Sequence, residues 1–159
     1  MKLETDSIDN RGFMDARYTC DIDNSSPELR WDEPPEGTRG FALIVDDPDA
    51  PRNPPFCHWV VYNIPPDVRH LPAGVPPQES LPNGIRQGVN SAGKLGYFGP
   101  CPPPNHGAHR YIFKLYALRE LPHLEKRPTR NELLAHIEPF IIATSEVMGL
   151  YQRQISRAG

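Results

Sequence analysis

Twenty of the 159 residues are proline, about 13% where ~5% is usual. Proline fixes φ and has no N–H to donate, so it interrupts helices and central strands but suits the links between them. Here the prolines lie between apolar runs and form no tract. With the 12 glycines they stay short of the ~25–30% that marks disorder. They read as rigid connectors of a β-rich fold.

The intervening runs fit that reading. "GFALIV" (40–45), "WVVYNI" (59–64) and "RYIFKLYAL" (110–118) are rich in β-branched and aromatic residues and predict strands. Weaker strand signals lie near 17–21, 28–31 and 84–89. Many short strands with irregular links predict a mainly β fold, an antiparallel β-sandwich with Greek-key connections, in one domain spanning 1–159. The tail changes period. "TRNELLAHIEPFIIATSEVMG" opens with the capping-box spacing Thr129-x-x-Glu132. Leu133, Leu134, Ile137, Ile141 and Met148 approximate a helical stripe. Pro139 should split it, giving two short C-terminal helices and a last strand near 150–155.

Charge and cysteine content exclude several functions. Seventeen basic against 20 acidic residues leave a net charge of −3, scattered along the chain, with no basic stripe to follow a nucleic acid. "MKLETDSIDN" lacks the apolar core of a signal peptide, and no apolar run approaches spanning length, so no membrane insertion and a cytoplasmic location are expected. Cys20, Cys57 and Cys101 show no paired spacing. An odd, sparse set argues against a disulfide framework or a cysteine zinc site and fits a reducing compartment.

The chemistry concentrates around "DDPDAPRNPPFCHW" (46–59). By strand alternation His58 shares a face with Val60 and Tyr62. Asp47 continues the face of Phe41, Leu43 and Val45, and His109 and Tyr111 that of Phe113, Leu115 and Ala117. Polar groups thus end apolar faces, where a cavity could open. Taken singly, a strand-end His or Tyr is more often a satisfied structural residue, and Asp47 and Asp49 suit the capping of their own turn.

"DPDAP" (47–51), "HW" (58–59), "GPCPP" (99–103) and "HRY" (109–111), in this order, resemble the phosphatidylethanolamine-binding protein family, also called Raf kinase inhibitor-like proteins. "NSSPELRW" (24–31) and "MGLYQR" (148–153) support the match, which is nearest to the bacterial and archaeal branch. The resemblance implies a small pocket for anions such as phosphate, acetate or a phosphorylated headgroup, lined by Asp47, His58, His109 and Tyr111. It adds the Cys101 backbone N–H beside Pro102, and Tyr151 as a closing residue. Phe56 stands where animal members often carry tryptophan. Within such a pocket a carboxylate repels an anion, so Asp47 is expected to accept a hydrogen bond from a histidine and favour the imidazolium. Anion affinity should then fall as pH rises.

No cofactor or metal is expected, and a regulatory binding protein rather than an enzyme. The alternatives are an inhibitor or interaction protein docking a kinase or protease through the pocket rim and, less favoured, a hydrolase. Against hydrolysis, G-x-S-x-G, H-E-x-x-H and the P-loop pattern are all absent. Cys57 and His58 are strand neighbours facing opposite ways. A protein partner and a homodimer are left open.

Overall fold

The computed structural model describes residues 1–52, 54–124 and 127–153. It is mainly β and antiparallel. Strands β1 (Leu3–Glu4), β2 (Leu29–Trp31) and β5 (His70–Leu71) form a small sheet in the order β1-β2-β5. A five-stranded sheet runs β6-β4-β3-β7-β8, from β6 (Arg86–Gln87), β4 (Phe56–Ile64), β3 (Gly40–Asp47), β7 (His109–Leu118) and β8 (Ile141–Tyr151). Helix α1 (Arg130–Ile137) begins with the predicted capping box: Thr129 accepts from the Glu132 N–H, and the Glu132 carboxylate from the Thr129 N–H. Three 3-10 turns complete the described elements.

The larger sheet is buried on both faces. On one, Phe41, Leu43, Val45, Trp59, Phe113 and Leu115 pack with Leu3, Leu29, Trp31 and Leu71 of the small sheet. On the other, Ala42, Ile44, Val60, Tyr62 and Tyr116 pack with Leu133 and Ile137 of α1. This is why "ALIV" and "WVVY" read as continuous apolar runs and not as alternating ones.

Two irregularities in the β3–β4 pairing set the site. Val45 faces Trp59 and Asp46 faces Cys57, so one residue more separates the pair on β4, and that residue is His58. Phe41 faces Ile64 and Leu43 faces Val61, with the extra residue marked by Asn63 at φ +56°. Each is a β-bulge, and the strand residues beyond a bulge face the opposite way.

Four expectations are corrected. The tail holds one α-helix, not two; after it Glu138–Phe140 make a 3-10 turn, and Ile141 begins an 11-residue strand. Its β-branched residues and ten partners on β7 outweigh a weak helical stripe. That strand ends at Tyr151; positions 154–155 of the expected last strand lie outside the described residues. The signal near 17–21 is a 3-10 turn, Ala16–Tyr18, whose first N–H groups include one capped by Asp15. Lastly, Cys20 and Cys101 form a disulfide across 81 residues, a pairing that spacing could not reveal because it joins two loops. Cysteine usage then no longer favours a cytoplasmic location, since disulfides persist in oxidising compartments and in hyperthermophile cells.

Candidate functional site

Asp47 ends β3, the central strand of the larger sheet, and uses its two oxygens differently. Oδ1 accepts the N–H groups of Asp49 (2.8 Å) and Ala50 (3.1 Å), closing the turn. Oδ2 accepts from His109 Nδ1 at 2.7 Å. The structural and the functional reading of this residue are therefore both realised. Asp49 ties the connector to β7, accepting from the Arg110 N–H and guanidinium at 2.8–3.0 Å. The hydrogen bond from Arg110 holds the Asp49 carboxyl below its usual range.

The bulge at His58 decides which way this ring points. Cys57 joins the cluster under α1 and Trp59 the opposite cluster. His58 lies on the Trp59 side, its ring 4.7 Å from that of Phe56 and 5.2 Å from that of Tyr111. Plain alternation would have put it with Val60 and Tyr62. His58 is 4% exposed, and its Nδ1 donates to the Phe98 carbonyl. Burial is the leading influence on its titration and drives it down to about 4, against the Phe98 and Gly99 carbonyls and Asp47, which favour the charged ring. The expected carboxylate–histidine pair is made at His109 and not at His58. Removing a ring from water disfavours its charge, and Asp47 spends its hydrogen bonds elsewhere.

Asp47, His58, His109 and Tyr111 line one cavity of about 330 Å³, with Phe56, Phe98, Cys101, Pro102 and the Pro51 turn around them. Burial, reinforced by the nearby Asp47 and Asp49 carboxylates, pushes the Tyr111 hydroxyl far above its ordinary range, so it stays a proton donor. The Cys101 wall is held by the disulfide, by Cys20 N–H to the Pro100 carbonyl at 3.1 Å, and by Gly99 N–H to Asn24 Oδ1 at 2.7 Å. Gly99 is a close approach: a Cβ there would stand 2.5 Å from both Asn24 Oδ1 and the Tyr18 carbonyl.

Six of the seven residues expected at the pocket line this cavity. Tyr151 is the exception. It faces His109 across the β7–β8 ladder, but its hydroxyl donates to Asp21, which also pairs with Arg153 at 3.0 Å. Burial raises its titration. Sequence reasoning missed His106, whose Nδ1 lies 2.7 Å from His109 Nε2. Its only signal is a three-residue spacing from His109 within a proline- and glycine-rich loop, which matches no strand or helix period. Larger clefts lie elsewhere, of about 630 Å³ beside Arg39 and Leu121 and about 610 Å³ beside Leu71 and Leu81. Their histidines, His123 and His70, are exposed, so volume alone does not identify the site.

Known proteins resemble this chain in sequence and fold. Residues 4–152 match the phosphatidylethanolamine-binding protein family. A UPF0098 protein of Methanothermobacter thermautotrophicus is 45% identical over 96% of this chain and 99% of its own. The crystal structure of Escherichia coli YbcL superposes with a TM-score of 0.88 at 31% identity, covering 96% of this chain and 98% of that one. A Chlamydia trachomatis homologue, CT736, superposes with a TM-score of 0.85 at 34% identity, over 96% of this chain and 97% of its own. The chain belongs to the phosphatidylethanolamine-binding protein family.

Proposed function

We propose that the cavity binds a small anion, phosphate or a phosphorylated headgroup, and that the protein acts through this binding and not through catalysis. The observation that carries the reading is the Asp47–His109 pair at the cavity wall. A carboxylate fixes the imidazole's orientation through Nδ1, and Nε2 is the nitrogen left for a ligand once His106 gives way. Tyr111 supplies a hydroxyl donor, and the Cys101 N–H makes no hydrogen bond within the described protein. Tyr111 and the Cys101 N–H, held by burial, proline turns and a disulfide, need little ordering on binding, which leaves more of the interaction energy as affinity, whereas His109 exchanges His106 for the ligand.

A nucleophile for catalysis is harder to find. Cys101 is spent in the disulfide. Cys57 lies under α1, where burial pushes its thiol up to about 12, and the reactive form of cysteine is the thiolate. The cytoplasmic and regulatory expectations remain part of this proposal, as does docking of a protein partner at the rim. No helix among the described residues is long and apolar enough to cross a membrane.

Calorimetric titration with inorganic phosphate tests the reading. His109→Ala should weaken binding about ten- to a hundredfold, the loss of one charge-assisted hydrogen bond. Exposed His123→Ala should bind as wild type. Binding unchanged in a folded His109→Ala protein would place the ligand elsewhere.

A further inference from the structure

We propose that His58 makes the pocket selective for anions that carry a proton of their own, such as hydrogen phosphate and phosphate monoester monoanions, over anions that carry none, such as sulfate and phosphate diesters. The inference rests on the anion-pocket reading and specifies its ligand.

The two nitrogens of the ring meet different surroundings. Nδ1 must hold a proton, because it faces a backbone carbonyl, that of Phe98, which can only accept. Nε2 makes no hydrogen bond within the described protein. Among the described residues the fully enclosed side-chain atoms lacking a partner are Trp31 Nε1 and Asn63 Oδ1, and His58 Nε2 is not one of them. The ring is nonetheless 4% exposed and lines the cavity. Nε2 therefore opens into the cavity.

Its protonation state is set by its neighbours. The rings of Phe56, Phe98 and Tyr111 enclose His58. The carboxylate in the same cavity, Asp47, gives Oδ2 to His109 and Oδ1 to two turn amides. A buried imidazole without a carboxylate partner stays neutral, in line with its titration near 4. A neutral ring with the proton on Nδ1 offers a lone pair at Nε2.

That lone pair is an acceptor in a cavity that also presents the Tyr111 hydroxyl and the Cys101 N–H as donors. An anion whose every oxygen is an acceptor would set an oxygen against it, leaving a buried polar atom unpaired. Hydrogen phosphate and a monoester monoanion each bring a P–O–H that donates to Nε2, while their other oxygens take the remaining donors. Rejection through an unpaired buried group is the stronger kind of discrimination.

Calorimetry at about pH 5.5 and fixed ionic strength makes the comparison, below the monoester's second pKa of ~6 and above the His58 titration near 4, with inorganic phosphate, sulfate, methyl phosphate and dimethyl phosphate as probes. Phosphate and methyl phosphate should bind at least about tenfold more tightly than sulfate and dimethyl phosphate. His58→Phe should bring the two classes together by weakening only the protonated one. Cosedimentation with phosphatidylcholine vesicles, with and without phosphatidic acid, separates a lipid monoester from a soluble one: capture that requires phosphatidic acid supports the same chemistry on a lipid. Sulfate binding as tightly as phosphate in the wild type overturns the inference while leaving the anion pocket standing, and needs no variant to be read. If neither phosphate nor sulfate binds, the pocket reading itself fails.

Discussion

Asp46 and Asp47 are neighbours on one strand, as are Cys57 and His58 on the next, yet they build two different places. On the helix side, Arg130 Nε sits 3.0 and 2.9 Å from the two Asp46 oxygens, and Arg130 also donates to Asn131 at 2.8 Å. The Cys57 N–H donates to Ser91 Oγ, and Asn90 serves the Gly96 carbonyl and the Ala92 and Lys94 amides. The cavity there, about 310 Å³, nearly equals the 330 Å³ of the histidine pocket. Volume and charge content do not separate the two regions. Spare hydrogen-bonding capacity does: on the helix side the Cys57 N–H and Asn90 are satisfied by the protein and the Arg130 charge is met by Asp46, whereas His58 Nε2 and the Cys101 N–H are left for something else. A site is recognised by what its polar groups still lack.

The disulfide belongs to the pocket side, and removing it should have the largest effect. Tethering residues 81 apart in sequence is worth roughly 4 kcal/mol by chain entropy. Cys20→Ser should lower the urea-unfolding free energy by an amount of that order and weaken phosphate binding through its loosened Cys101 wall. Equal phosphate affinity in Cys20→Ser would show that the hydrogen bonds of Gly99 and Tyr97 hold the wall alone.

Titration gives the second test, because the two regions should slope in opposite directions with pH. His58 has its folded value near 4, below the 6.5 of a free imidazole. Its contribution is complete above pH 6.5 and is lost as pH falls towards 4, about 3 kcal/mol in all. Burial raises the Asp46 carboxyl, partly offset by Arg130. Its contribution is therefore largest at acid pH and declines as pH rises through that raised value. His58→Phe should flatten the acid limb of stability against pH, and Asp46→Asn the opposing trend. A His58→Phe protein with unchanged acid sensitivity would mean that the ring is charged when folded.

The third effect is smaller. Arg130→Ala leaves Asp46 without its cation; breaking a buried pair costs ~3–5 kcal/mol. Here both side chains are about one-fifth exposed, so about 2 kcal/mol is expected. Phosphate affinity should not change. A loss of affinity in Arg130→Ala would join the two regions into one site.

How far the sequence revealed these regions depends on the range of the interactions involved. The three strong strands were legible because β-branched and aromatic runs between prolines are local signals. So was the capping box at Thr129. Asp47, His109 and Tyr111 share the face that alternation assigned to them. His58 does not, since one inserted residue in the β3–β4 register turns it over, and only the resemblance, not the parity, placed it in the pocket. The long strand from Ile141 was hidden because its partners on β7 lie some thirty residues earlier, while its apolar spacing mimics a helix. Cys20–Cys101 and His106–His109 depend on where loops converge, which neither composition nor periodicity encodes.

The contrast between spent and spare groups is tested most directly by NMR of the side chains during a phosphate titration. The imidazole nitrogens of His58 and His109 and the ring signals of Tyr111 should shift together, with His58 Nε2 changing from a free lone pair to a hydrogen-bonded one. Signals from Cys57, Asn90, Arg130 and Asn131 should stay in place. Shifts centred on Asn90, Arg130 and Asn131, with the two histidines unmoved, would contradict the account by putting the ligand on the opposite side of the sheet.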